Sequence, residues 1–367
     1  MDRGTRFGSG GSSLAEISMK ALILGVGRSG NAAKLFLEHH GWDVHICEHL
    51  PEQLDFDLAI LSPGIPLFDD RCQRIIASNI ELIGELELGL RFLDRPAVGV
   101  TGTNGKTTTT ELIAYLTGGV ACGNNGYALT KALLESEKNV PLVIEMSSFQ
   151  LETVKTRCLD GAVILNVTPD HLDRYKNFDS YRAAKERIAL CLKEGAPLYR
   201  SIDTYEAAEL LSGILGRVRS KEGFTPPAHR LEFVAKIGGV RFINDSKATN
   251  VESVLHALKK ETHNVILLAG GLDKGGDFTK WVAFAPKVKK ILVFGKAQEL
   301  IAKALKSHFT IEQVENLEVA TKKAFKEARD GDTILLSPGC ASYDQFRDFE
   351  ERGEKYKTFV WECKNES

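Results

Sequence analysis

The run Thr101-Gly102-Thr103-Asn104-Gly105-Lys106-Thr107-Thr108 follows an apolar stretch at 97–100 and opens a segment of helical character. Glycines at such a point let backbone N–H groups come close to phosphate oxygens. A helix N-terminus adds partial positive charge in the same place. Lys106 would neutralise the β- and γ-phosphates of a nucleotide, and the Thr107 hydroxyl would reach a divalent cation. Val100 stands where the usual GxxxxGK[ST] spacing would have its first glycine. The order of strand, glycine-rich loop, Gly-Lys-Thr and helix still predicts a phosphate loop rather than a surface turn.

Three further places could do chemistry. Glu145 follows the apolar residues 142–144 within the strand expected over 142–146, and a carboxylate at that strand end suits Mg²⁺, which takes few protein oxygens and keeps several waters. The plain alternative is a solvated glutamate. In Asn166-Val-Thr-Pro-Asp170-His171-Leu-Asp173 a histidine sits between two aspartates. It fits an acid, base or metal ligand, and equally a turn in which Asp170 and Asp173 satisfy backbone N–H groups. Lys185 of Tyr181-Arg-Ala-Ala-Lys185 lies on a predicted helix, where a lone lysine is ordinarily solvated. Nearer the start, Gly25-Val-Gly27-Arg28-Ser29-Gly30 with Glu48 downstream loosely fits a dinucleotide fingerprint, whose acidic residue comes about 20 positions later.

These groups need a scaffold. Apolar strands at 20–24, 43–47 and 57–61 alternate with a helix at 32–40. A second series has strands at 97–100, 142–146 and 162–166 and a helix at 179–192, with a less regular stretch over 197–227. A third has strands at 265–269, 290–294 and 333–336. Strands alternating with helices predict parallel sheets with helices on their faces, an α/β fold. Such sheets bind ligands beyond the carboxyl ends of their strands, where every motif above falls. The length, 367 residues, accommodates two or three domains at roughly 100–200 residues each. Arg95-Pro96 reads as a hinge and Thr225-Pro-Pro227 as a linker. The expected divisions are 19–95, 96–228 and 229–367. Residues 1–18, Gly/Ser-rich and without an apolar run, read as an expression leader.

Bulk composition excludes several classes. The net charge of −2 offers no basic surplus for nucleic acid. The apolar run from Met19 to Val26 is far shorter than the about 20 residues of a membrane span. Seven cysteines, none in a CxxC pair, point to reduced thiols and a cytoplasmic setting, and they lack zinc-ligand spacing.

TGTNGKTT, EMSSFQLE, NVTPDHLDRY, YRAAK, HRLE, NDSKATN and LLSPGCASYDQF, in that order, resemble the Mur ligases of peptidoglycan synthesis, and among them the members that add D-glutamate. The resemblance runs from about Met19 to Lys364 and is weak around 195–228. It implies three domains: a Rossmann-like N-terminal one for a uridine diphosphate substrate, a central P-loop ATPase-type one, and a Rossmann-like C-terminal one that brings the amino acid. It implies that ATP phosphorylates the carboxylate of UDP-N-acetylmuramoyl-L-alanine and that D-glutamate attacks the acyl phosphate. Gly102, Thr103, Asn104, Gly105, Lys106, Thr107, Thr108, Arg230 and Asp245 match ATP-contacting positions. Thr107, Glu145, His171 and Lys185, the last carbamylated, match ligands of two Mg²⁺ ions, with Lys106, His171 and Lys185 serving catalysis. Ser29, Gly64 and Asn124 match contacts to the uridine substrate. Lys247, Thr249, Lys274, Ser342 and Phe349 match positions around D-glutamate. The implied partners are small molecules, with no nucleic acid and no membrane insertion, and a monomer is the expected form, which no residue here decides.

Two departures stand out. Glu48-His49-Leu50 lacks the arginine that relatives direct at the diphosphate, leaving Arg28 as a stand-in. The stretch 198–227 lacks the Gly-x-His-Asn helix that contacts adenine, which implies weaker ATP binding. Three rival readings remain open. One is another Mur or folylpolyglutamate-type ligase, disfavoured by NDSKATN and SPGCASYDQF. The second is a nucleotide-binding scaffold without catalysis, disfavoured by Lys106, Glu145, His171 and Lys185 together. The third is an NAD-dependent oxidoreductase, disfavoured by the phosphate loop.

Overall fold

The computed structural model describes residues 18–171, 174–262 and 264–365. The leader expectation for 1–18 falls outside them apart from Ser18, as does Asp173.

The first sheet uses β1 (Lys20–Leu24), β2 (Asp43–Cys47), β3 (Leu58–Leu61) and β4 (Glu81–Gly84), all parallel, in the order β2-β1-β3-β4. Between and after them run α1 (Arg28–His39), α2 (Asp70–Ala77) and α3 (Glu85–Arg91). Strands β1 and β3 are buried along almost their whole length, as an unbroken apolar run covered on both faces requires. The Asp69 carboxylate caps α2 by accepting from the Arg71 amide.

The second sheet is built from β5 (Ala97–Thr101), β6 (Val120–Gly123), β7 (Leu142–Glu145), β8 (Gly161–Ile164) and β9 (Leu198–Arg200), parallel, in the order β6-β7-β5-β8-β9. Its helices are α4 (Lys106–Thr117), α5 (Leu129–Glu135), α6 (Ser148–Leu151), α7 (Phe178–Glu186) and α8 (Thr204–Leu215). The chain leaves β5 toward β7 on one side and β8 on the other, which opens a crevice at their carboxyl ends. Helices α4 and α8 cover one face through Leu112, Ile113, Leu116 and Leu211. The other face packs on α5 and on Leu86 and Leu90 of α3. The first and second sheets therefore share α3, and Thr130 donates twice to the buried Glu85 carboxylate, at 2.7 Å each.

The third sheet contains β10 (Glu232–Ile237), β11 (Val240–Asn244), β12 (Val265–Gly270), β13 (Val288–Phe294), β14 (Ile311–Gln313) and β15 (Thr333–Leu336). Its order is β10-β11-β15-β12-β13-β14, parallel except for the β10–β11 hairpin. On one face lie α9 (Val251–Lys260), the 3₁₀ stretch Phe278–Lys287 with the fully buried Trp281, and α10 (Gln298–Leu305). On the other lie α11 (Leu317–Glu327) and α12 (Phe349–Asn365).

The expected irregular stretch at 197–227 is corrected. It holds β9 and the twelve-residue α8, capped by Asp203, which accepts from the Tyr205 and Glu206 amides. The helix expected over 179–192 ends at Glu186 and continues as a 3₁₀ turn through Cys191.

Candidate active site

The loop after β5 turns into α4 through Gly105, whose φ of +88° lies in the left-handed region where a side chain would be strained. No side chain caps α4, so its first amides are not satisfied by a capping group. The loop is pinned from the segment after β8. Thr103 N donates to Asn166 O (2.8 Å), and the Asn104 amide donates to Asn166 Oδ1 (2.9 Å) while Asn166 Nδ2 donates back to Asn104 O (2.9 Å). The Lys106 ammonium folds over the loop and donates to the carbonyls of Gly102 and Thr103, both at 2.9 Å.

Lys185 projects from α7 to donate to the same Gly102 carbonyl at 2.8 Å, and it is 2% exposed. Burial, then the nearby Lys106 charge, pulls its ammonium well below the usual lysine range. The bland reading of a solvated helical lysine is thereby overturned. Burial also lowers Lys106, against the opposing pull of Glu145.

Glu145 ends β7 and is 1% exposed. Its Oε1 accepts from Asn124 Nδ2 at 2.9 Å, while Oε2 is buried without a hydrogen-bond partner. It is not the solvated glutamate of the plain alternative. Thr168 Oγ1 and Arg230 Nε are likewise buried and unpartnered. Such orphans are costly, at about 1–3 kcal/mol each, and three at one crevice mark a place built to take a ligand.

His171 adopts a left-handed φ of +55°, with its ring 4.8 Å from Phe149 and 5.9 Å from Tyr181. Burial, reinforced by Lys274, Lys106 and Lys185, pulls its imidazole down to about 4 despite Asp170. The ring is therefore neutral near pH 7 and able to bind a metal. Arg174 ties this loop to the first sheet by donating to Pro63 O (2.8 Å) and to Glu152 (2.8 Å). Ser29 lines a narrow cavity here with Pro63, Ile65, Glu152 and Arg174. Gly64 lies in the adjoining turn closed by Ile65 N to Ser62 O.

From the third sheet, Arg230 donates to the Thr107 hydroxyl at 3.2 Å. Asp245, at the end of β11, accepts from the Leu231 amide (3.2 Å) and the Ser337 hydroxyl (2.8 Å). Burial raises its carboxyl to about 7. Lys247 sits 3.9 Å from the Phe349 ring centroid, and burial and Arg230 lower it to about 8. The Thr249 amide bonds to Lys247 O in the same turn. Ser342 is buried in the turn before α12. Lys274 reaches across to Asp170 at 3.5 Å. The turn role expected of Asp170 holds, since it accepts from the His171 amide at 2.9 Å. Sequence reasoning missed its contacts with Asn250 and Lys274 and the parts played by Arg174, Asn250 and Ser253, whose partners lie far away in the chain.

Among the described residues no group of three or more His, Cys, Asp and Glu converges. The orphaned Glu145 Oε2 is an oxygen donor of the kind that suits Mg²⁺. The seven cysteines are free thiols, and no helix among the described residues is long and apolar enough to cross a membrane.

Residues 100–212 match the Mur ligase middle domain, and residues 229–340 match the Mur ligase, glutamate ligase domain. The UDP-N-acetylmuramoylalanine–D-glutamate ligase of Protochlamydia amoebophila is 33% identical over 93% of this chain and 97% of its own. That of Alkaliphilus metalliredigens is 37% identical over 84% and 85%. The alignment to the former spans 432 positions against the 367 residues here, so the present chain is shortened internally. Among solved structures, the MurF ligase of Thermotoga maritima in complex with ADP superposes with a TM-score of 0.61 at 15% identity, over 96% of this chain and 97% of that one. MurC of the same organism gives 0.58 at 15% identity, over 94% and 100%. With both domain matches and relatives aligned along nearly its whole length, the chain belongs to the Mur ligase family.

Proposed function

We propose that this chain is an ATP-dependent ligase that joins D-glutamate to UDP-N-acetylmuramoyl-L-alanine in cytoplasmic peptidoglycan precursor synthesis, acting as a monomer on small molecules. The observation that carries the reading is the crevice in which Lys106, Lys185 and the orphaned Glu145 carboxylate surround one phosphate loop, faced by Arg230 and Lys274. Residues 19–95 take the uridine diphosphate portion through Ser29 and Gly64. Residues 96–228 hold ATP, and residues 229–367 bring D-glutamate to Lys247, Thr249, Lys274, Ser342 and Phe349.

An alanyl carboxylate oxygen attacks the γ-phosphorus, the bond to the β-phosphate oxygen breaks, and ADP departs. The amine of D-glutamate then adds to the acyl carbon, loses a proton, and the C–O bond to phosphate breaks to leave an amide. Lys106 and Arg230 stabilise charge that develops on the transferring group. The depressed ammonium of Lys185 supplies the neutral amine that carbamylation needs. Thr107 and Glu145 would hold one Mg²⁺, and His171 with carbamylated Lys185 a second; bound Mg²⁺ neutralises phosphate charge. Asn124 keeps Glu145 oriented and meets the muramoyl substrate. Separate domains position the two reactants, which removes an entropic part of the barrier.

The test is amide formation from ATP, Mg²⁺ and UDP-N-acetylmuramoyl-L-alanine, with D-glutamate, L-alanine and diaminopimelate offered in turn. Product with D-glutamate alone supports the reading; product with another amine, or with none, overturns it. Lys106→Ala should abolish the product.

A further inference from the structure

We infer that Asn250 and Ser253, at the start of α9, are positioning residues that latch the third sheet's domain onto the phosphate loop. Asn250 has two jobs. Its Oδ1 caps α9 by accepting from the Ser253 amide at 2.9 Å. Its Nδ2 faces the other way and donates to Asp170 Oδ2 (2.9 Å) and Asn104 Oδ1 (3.3 Å). The Ser253 hydroxyl donates to the same Asn104 Oδ1 at 2.8 Å. One oxygen of the phosphate loop thus receives two donors from a helix about 150 residues later in the chain.

Asn104 is suited to carry this restraint. Both its amide and its carbonyl are tied to Asn166, so its side-chain contact fixes the orientation of the peptide preceding Gly105. Asp170, the other receiver, accepts from the His171 amide at 2.9 Å and faces Lys274. The latch therefore touches the loop that carries His171 as well as the loop that carries Lys106. It is made only when the third domain is docked. Docking in turn favours the loop geometry that cradles phosphates, which couples the two events.

Capping and latching separate chemically. Asn250→Asp keeps an N-cap of equal quality but has no N–H to donate, and it places a carboxylate beside Asp170. Ser253→Ala keeps the backbone cap from the Ser253 amide to Asn250 Oδ1 and removes the hydroxyl, whose one proton serves Asn104 Oδ1 (2.8 Å) or Asn250 Oδ1 (2.9 Å). In the nucleotide-free full chain, the exchange rate of the Asn104 amide should rise at least fivefold in both variants, with a thermal midpoint near that of the parent. ADP with Mg²⁺ should bind three- to tenfold more weakly to both. Unchanged exchange, unchanged ADP affinity, or a change only in thermal midpoint would overturn the latch and leave a helix cap. The inference rests on the ligase reading for its catalytic meaning, yet neither arm uses an amino-acid substrate. A parent chain that forms no amide while both arms respond would sink the ligase reading and leave the latch standing.

Discussion

Asp245 offers a test of the site's electrostatics that needs no substrate. Its carboxyl is buried and raised to about 7 from an ordinary 3.8, with burial outweighing the hydrogen bonds from Ser337 and the Leu231 amide. The native state thus holds a proton that the unfolded chain has already released. Stability contributed by this group is present at acid pH, falls as pH rises above about 4, and levels off once the native carboxyl ionises near pH 7. Taking 1.36 kcal/mol for each unit, the loss between about pH 5 and about pH 8 is about 2.5 kcal/mol. Asn at this position can still accept from Leu231 and meet Ser337, but it does not titrate. Urea unfolding of the parent and Asp245→Asn at both pH values gives a double difference from which other titrating groups cancel. The variant should gain on the parent by about 2.5 kcal/mol over that interval. A double difference near zero would show that Asp245 ionises normally and that the pocket is far less dehydrated than its burial implies.

Three further outcomes are expected. Glu145→Gln should abolish the strengthening of ADP binding by Mg²⁺, from about tenfold or more in the parent to under about twofold, read by calorimetry, because the bare carboxylate oxygen is the proposed ligand. Lys185→Ala should lower kcat by about a hundredfold or more, and removing dissolved carbon dioxide should slow the parent but not the variant, read by phosphate release. Nucleotide titration of the parent should give weaker ATP binding than the relatives show if the Gly-x-His-Asn segment absent from 198–227 is an adenine contact; equal affinity would count against that assignment.

The phosphate loop and Glu145 stood out in the sequence because each follows an apolar strand whose carboxyl end the α/β pattern turns toward a ligand. His171 and Lys185 stood out only through the resemblance, since the residues alone fitted a capped turn and a solvated helical lysine equally well or better. The lysine's burial was not legible, since only the packed structure shows Gly102 O above it. Helix α8 escaped because β9 has three residues and gives little periodicity, although Asp203 before an apolar-spaced run was an available N-cap signal. The β10–β11 hairpin was also missed, though Gly238-Gly239, with φ of +55° and +81°, is a two-residue turn signature. The contacts of Asn250 with Asn104 and Asp170 span 146 and 80 residues. No local pattern encodes such pairings; they arise from how the second and third sheets dock.

The central claim is that a carboxylate is activated by phosphoryl transfer at this loop. It is tested most directly with UDP-N-acetylmuramoyl-L-alanine carrying ¹⁸O in the alanyl carboxylate. Attack on the γ-phosphorus and later loss of phosphate must carry one labelled oxygen into each inorganic phosphate released. Amide formation accompanied by unlabelled phosphate would contradict the acyl-phosphate route.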